Sequence, residues 1–543
     1  MLTLRLVFAG MFLAYLSGTM EAADNKPEAP KAKAGKKVAA TPKSFASSNL
    51  LACKEFSNLI DLEINKKLAA EKSPASPKSS DAEFMRRVYL DLIGRIPSVE
   101  EAESFLASSA SDKRAKLIEE LLADPEFGKH LADIWQALLL PRISDNRRVQ
   151  AEPLVTWLEN QFNTNVSWDK ITRELLTATG AQDENGAVTY FVANATVDKM
   201  TDSASRLFLG VQLQCAQCHD HPFVEWKQKD YWGMAAFFMK VQTRAPKGKD
   251  TGAPTVAETK VVNLKKNNLP EAAQNVPAKF PGDREAKLNE AAPYRPSFAD
   301  WLVAKNNPYF SRAMVNRVWQ QFFGQGMVDP VDDMHEGNAP THPELLEGLA
   351  GQFAASGFDI KHLIRAICNS ETYQRSSKPT EGNKDTSLPL LAHMPVRNLS
   401  PEQLFDSIST LVGKGNRPSK AEMKKQKQVK GALLRGPRAQ FVAFFQPAEG
   451  VSQLSYETGI PQVLRLMNSP QMNQTQAFTR LMGKDMPPAA AMEKLFLATL
   501  SRKPTPEETE KMNAFLAKAG DSRTGLSDIL WVLMNSSEFT LNH

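Results

Sequence analysis

Cys215-Ala216-Gln217-Cys218-His219 places two of the chain's four cysteines three positions apart, with a histidine directly behind the second. C-x-x-C-H is the sequence form of covalent c-type haem attachment: two sulfurs bond the porphyrin edge and the imidazole takes one axial site on iron. The chain continues Asp220-His221-Pro222-Phe223, which adds a second imidazole. Two other chemistries use the same groups. Cys215, Cys218, His219 and His221 could hold zinc or iron without a porphyrin, as in a metal-dependent hydrolase or a metal-binding protein. Cys215 and Cys218 could instead close a disulfide, as a redox pair or as a staple in a non-catalytic envelope scaffold. All three readings stay open at the level of sequence, and so does the question of whether the chain is an enzyme.

A haem on His219 needs its sixth iron position explained, and Met234, Met239, His335 and His342 are the candidates beside an open site. Asp332-Asp333-Met334-His335 with His342 makes a second carboxylate–imidazole set, read either as metal ligands or as loop residues and helix caps. Arg312, Asn316 and Arg317 would bind an anion or, as the preferred reading, form ion pairs with Asp332 and Asp333. There is no G-x-S-x-G, no phosphate-cradling glycine loop and no H-E-x-x-H.

The elements around the motif follow from spacing. Ala204, Leu207, Phe208, Val211, Cys215, Cys218 and His219 recur at helical intervals, which predicts one helix carrying an apolar stripe and then the ligating groups, with Asp202 as its N-cap. Pro222 disfavours helix at His221, so the motif is expected in a last turn. The aromatic run through Trp226, Tyr231 and Trp232 is either a wall for a haem edge or ordinary core. Trp135, Trp157 and Cys368 fall on apolar faces and read as core.

At 543 residues the chain has room for two to four domains. Residues 1–23 read as a signal peptide, with Arg5 before an apolar run of secretory length. A disordered Lys/Ala/Pro tether over 24–44 follows. Residues 1–44 carry seven cationic side chains against three acidic ones, so of the chain's net charge of +5 most belongs to the tail and the body is close to neutral. Nothing in that balance calls for a nucleic-acid partner, and no later segment is apolar enough to span a bilayer. Export, to the periplasm or cell envelope, agrees with covalent haem attachment.

The fold class expected is mainly α: a multi-helix protein of two helical domains, 45–242 with the C-x-x-C-H motif and 296–543, joined over 243–295 by an irregular polar linker, with little β. One short strand is expected at 259–264. Ser98 with Glu101 and Thr341 with Glu344 have capping-box spacing, Asp81 and Asp359 read as caps, and Gly324 as a stop. The basic run 414–430 reads as an exposed loop. Leu92-Ile93-Gly94-Arg95-Ile96-Pro97-Ser98-Val99-Glu100-Glu101 is echoed by Thr499-Leu500-Ser501-Arg502-Lys503-Pro504-Thr505-Pro506-Glu507-Glu508, which predicts two similarly built helical units at the two ends.

Three longer motifs carry a resemblance. They are Phe84-Met85-Arg86-Arg87-Val88-Tyr89-Leu90-Asp91-Leu92-Ile93-Gly94, then Leu209 to Phe223 around the cysteines, then Asn307-Pro308-Tyr309-Phe310-Ser311-Arg312-Ala313-Met314-Val315-Asn316-Arg317-Val318-Trp319 with Val331-Asp332-Asp333 and Thr341-His342-Pro343-Glu344. With these the chain resembles the secreted planctomycete-type proteins built from paired domains of unknown function that accompany planctomycete cytochrome c. The resemblance implies a haem or redox context rather than a defined reaction. Many relatives bear an added cytochrome c domain; no second C-x-x-C-H occurs in this sequence, so the redox partner is expected to be a separate molecule.

Overall fold

Short polar side chains start the helices here. Ser98 Oγ accepts from Glu101 N at 3.2 Å while Glu101 accepts from Ser98 N at 2.7 Å, and the helix Val99–Ala107 begins at that box as expected. Asp359 accepts from His362 N at 3.0 Å and opens Ile360–Asn369. Gly324, at φ +79°, ends Phe310–Phe323. Two expected caps are displaced. Ser80 rather than Asp81 caps Asp81–Ile93, because the residue before the helix is the one held extended; Asp81 becomes a first-turn acid paired with Lys113 and Arg114. His342 precedes Pro343–Ala355 with no side-chain cap, so Thr341 and Glu344 form no box.

A computed structural model describes residues 49–140, 149–245, 252–260, 262, 270–274, 276–282, 285–289, 291–411, 437–445, 481 and 486–543. The signal peptide, the tether and the basic run 414–430 lie outside the described residues. The chain is mainly α, with helices joined by short turns. Among the described residues no helix is long and apolar enough to cross a membrane. Three short strands, β1 (Gly180–Ala181), β2 (Val241–Arg244) and β3 (Thr255–Glu258), form an antiparallel sheet with β3 in the centre. The expected strand at 259–264 lies in part outside the described residues; the strand that is described just upstream, β3, buries Val256 and pairs it on both sides. A two-residue pair, β4 (Arg397–Asn398) with β5 (Leu541–Asn542), ties the chain's end to its middle.

The stretch 243–295 is docked rather than loose where it is described. Phe280 stacks on Phe237 and on Trp301 at 5.1 Å each, and Glu258 holds the buried Arg295 at 2.6 Å. Within one compact unit, the main hydrophobic core takes Phe84, Leu154 and Tyr231 together with Phe310, Leu349 and Ile367. A second cluster joins Leu90, Ile96 and Val99 to Leu404, Phe496 and Phe539.

The arginine-rich motif of residues 84–94 is a cross-link. Every residue from Phe84 to Ile93 is buried. Arg86 donates to the carbonyls of Thr499, Glu538 and Phe539 at 2.8–3.1 Å, and Arg87 to those of Tyr373, Arg375 and His543. A buried guanidinium is tolerable only when most of its donors are spent in this way, and of those of Arg86 only Nε is left without a partner.

The internal echo is real in three dimensions. Gly94 and Ser501 both end their helices in the left-handed region, at φ +73° and +59°. Arg95 then forks onto Glu101 (2.8 and 3.0 Å), sends Nε to Glu126 (2.7 Å) and lies over the Tyr89 ring. Arg502 forks onto Glu508 (2.8 Å twice), sends Nε to Glu538 (2.6 Å) and lies over Phe496. Thr505 and Glu508 repeat the capping box.

Candidate functional site

The helix expected to carry the C-x-x-C-H motif is broken. Val197–Ala204 is α-helical with Thr196 before it, and Asp202 lies inside it rather than capping it. The helix widens into a π turn at Ser205–Leu209 and stops at Gly210, φ +68°. A Cβ on Gly210 would lie 3.1 Å from Met334 Sδ and 3.3 Å from Ala313 Cβ, and its carbonyl accepts from Met334 N at 2.9 Å. Close packing on Phe310–Phe323 and the 334 turn therefore sets the break. Helical spacing counted through Gly210 grouped residues that sit on three different local structures.

The cysteines occupy a separate 3₁₀ turn, Gln214–Gln217, with Cys218 at its C-cap in helical conformation. In that geometry positions i and i+3 eclipse, so Cys215 and Cys218 share a face while Ala216 points into the core. All four cysteines are free, and Cys215, Cys218 and His219 are exposed. His219 Nδ1 lies 2.8 Å from the Asp220 carbonyl, which can only accept, so Nδ1 carries the proton and Nε2 keeps its lone pair. His221 is the opposite: its Nδ1 accepts from Phe223 N (3.2 Å) and Val224 N (3.1 Å), which puts its proton on Nε2.

The loop is clamped from below by the helix Gln228–Ala235. Gln228 Nε2 donates to the Gln217 and Cys218 carbonyls (3.1 and 2.9 Å), Trp232 Nε1 to Gln217 O (3.1 Å), and Asp220 accepts from Gln228 N (2.9 Å). Gln228 was not visible as a site residue in the sequence; a polar side chain at the first position of the next helix was its sole trace. Trp226, Tyr231 and Trp232 are core, and Phe223 alone of this aromatic run stands out, 63 % exposed. Burial pushes the Asp202 carboxyl, beneath the motif near Tyr231, up to about 6.

The other candidates are dispersed. Met234, Met239 and His342 are buried. His342 Nδ1 is 3.1 Å from Thr341 Oγ1, and burial pushes its imidazole down to about 4. His335 Nε2 is 3.7 Å from Asp333, while Asp332 meets Arg206 and Gln212 at 3.2 Å each. Among the described residues no three His, Cys, Asp or Glu side chains gather as a ligand set. Arg312 pairs with Glu347, not with Asp332 or Asp333; Asn316 exchanges hydrogen bonds with Val328 (2.8 and 3.0 Å); Arg317 donates to the Arg206 carbonyl. Of the three, only Arg312 forms an ion pair among the described residues, and Arg317 feels the Asp332 charge without pairing with it. Trp135 and Cys368 are core as expected, and Trp157 is half-buried with its N–H on Glu174.

No curated protein and no solved structure matches the chain. Two family models do: PSCyt2, described as a protein of unknown function (DUF1549), over residues 59–243, and PSD1, described as a protein of unknown function (DUF1553), over 294–516. The first ends just past the Cys215–His221 loop and its clamp; the second takes in the helix Phe310–Phe323 that packs on Gly210. The chain thus belongs to the proteins that pair these two planctomycete cytochrome c-associated domains.

Proposed function

We propose that this chain is an exported c-type-haem protein that passes electrons at the cell envelope to a separate partner. The observation that carries the reading is the donor set: two free, exposed thiols on eclipsed positions of one 3₁₀ turn, followed by an imidazole whose Nε2 lone pair is kept available by the Asp220 carbonyl. Cys215 and Cys218 would hold the porphyrin edge and His219 would ligate iron. Bound there, the haem would supply one-electron redox chemistry. The chain's own part is positional: Gln228 and Trp232 fix the loop carbonyls, and the Asp220 carbonyl fixes the imidazole tautomer. Of the side chains named for the sixth iron position, Met234, Met239 and His342 are buried in core packing, while His335 stays partly exposed beside Asp333.

Full-length protein made in a host that matures c-type cytochromes tests this by pyridine haemochrome spectroscopy after acid–acetone extraction. Covalent haem is expected in the native chain, with loss in Cys215→Ala/Cys218→Ala and an altered iron spectrum in His219→Ala. His221→Ala is expected to leave the haem spectrum unchanged, because its Nδ1 is engaged by the backbone. Absence of covalent haem overturns the reading. Zinc or iron by elemental analysis without a haem band would move it to the metal-binding alternative, and a two-proton mass deficit to the disulfide scaffold.

A further inference from the structure

A second site lies away from the cysteines, in a cleft of about 390 Å³ between the helices Pro125–Leu139 and Phe310–Phe323 and the strand β4. That volume falls within the range of about 300–1,000 Å³ common for small-ligand sites. Its charges are already committed, and Glu402, which also lines it, is likewise not free. Asp91 accepts from Tyr373 Oη (2.8 Å), Arg397 (2.8 Å) and Asn542 (2.7 Å). Deeper in, Arg438 bridges Asp133 (2.7 Å) and Asp406 (2.9 Å), and Lys129 holds Asp406 at 2.9 Å. Neither a free cation nor an anion finds an unspent opposite charge among these groups.

What remains unspent is neutral apart from one guanidinium N–H. His130 lines the cleft, is only 7 % exposed, and makes no hydrogen bond among the described residues. Burial pushes it down to about 4, ahead of the opposing pull of Asp133, Asp91 and Asp406, so at neutral pH its ring is one donor and one acceptor. Gln320 Oε1, Gln321 Nε2 and Arg397 Nε, on residues that line the same cleft, are buried without a partner. Buried polar groups left unpaired cost free energy and mark a place where a ligand or ordered water belongs. Ile134 and the half-exposed Val396 supply aliphatic surface beside them.

We infer that this cleft binds a neutral polyhydroxylated ring, a sugar, through His130, Gln320, Gln321 and Arg397, with its C–H face on Ile134 and Val396. Sugar hydroxyls both give and take hydrogen bonds, which matches a mixed set of unspent donors and acceptors. A charged ligand would have to displace the ion pairs of Asp91 or Asp133. The inference does not depend on haem at Cys215 and Cys218.

The test is NMR of the histidine ring signals of the full chain, titrated with glucose, galactose, N-acetylglucosamine and maltotriose to roughly 50 mM, with inorganic phosphate and lysine amide in parallel. At least one sugar is expected to shift the His130 signal saturably, while phosphate and lysine amide do not. Gln320→Leu is expected to weaken that binding about tenfold with its melting temperature kept. His130→Leu serves as the second variant, read by sugar-induced tryptophan fluorescence and by circular dichroism for folding. The inference is overturned if no sugar shifts His130, if phosphate or lysine amide does so instead, or if Gln320→Leu folds and binds as tightly as the native chain.

Discussion

His130, His342 and His543 are each pushed down to about 4, burial being the largest cause in every case. Around His130 the carboxylates of Asp133, Asp91 and Asp406 favour the charged ring and Lys129 opposes it, yet burial outweighs them. An unfolded histidine titrates near 6.5. Between about pH 4 and 6.5 the native state therefore binds fewer protons than the unfolded one. The stability contributed by keeping these rings neutral is full above about 6.5 and is lost as pH falls towards 4. Asp202 has the opposite sign: raised to about 6, it favours the folded state when protonated and loses that contribution as pH rises from about 3.8 to 6. With His362 lowered by burial in the same direction, the histidines outweigh the one aspartate and leave a net loss on acidification, on the order of 3 kcal/mol from His130 alone. Urea midpoints measured from pH 7.5 to 4.5 are expected to fall, and His130→Gln to take about one proton out of the slope. A midpoint that is flat or rises across that window contradicts the assignment.

At the scale of elements, the duplicated turn makes a comparison inside one molecule. Gly94 and Ser501 hold equivalent left-handed positions, but a Cβ on Gly94 would fall 2.5 Å from His130 Nδ1. Gly94→Ala adds that collision to the left-handed cost of about 1–2 kcal/mol, so a loss above about 2 kcal/mol is expected in urea unfolding. Ser501→Gly relieves the same backbone cost and is expected to be neutral or to gain up to about 1 kcal/mol. Effects of equal size at the two sites would mean that His130 adds nothing to the shared backbone cost. The repeat was legible because Arg95, Ser98 and Glu101 lie within seven residues, and so do Arg502, Thr505 and Glu508; local capping chemistry leaves a local trace. The break at Gly210 was not legible. Its cause is Met334, more than a hundred positions away, and helical periodicity reads straight through a glycine. The cleft was hidden for the same reason, since His130, Gln320 and Arg397 meet only after folding; Asp91 within an apolar helical run was the one local anomaly.

Across the whole molecule, the segment matched by the first family model is stitched by buried charge to the second and to the residues that follow it. Arg86 spends its donors on Thr499, Glu538 and Phe539, Arg87 reaches His543, and Asp91 takes Asn542. The first-domain helix Asp81–Ile93 thus uses the last eight residues as hydrogen-bond partners. Deleting residues 536–543 removes few apolar contacts beyond Phe539, and a reading based on hydrophobic area alone expects a modest cost. Electrostatics decides otherwise: Arg86 would keep one of its three carbonyl partners inside a fully buried site, and stripping partners from a buried charge costs about 3–5 kcal/mol. The truncated chain is expected to lose stability throughout, with protection in hydrogen exchange falling in Asp81–Ile93 as much as in Pro488–Leu500. Adding Arg86→Met to the truncation is expected to restore part of the loss, because the stranded charge is gone. If protection falls only near the new C-terminus, or Arg86→Met brings no recovery, the buried arginines are not what couples the two ends.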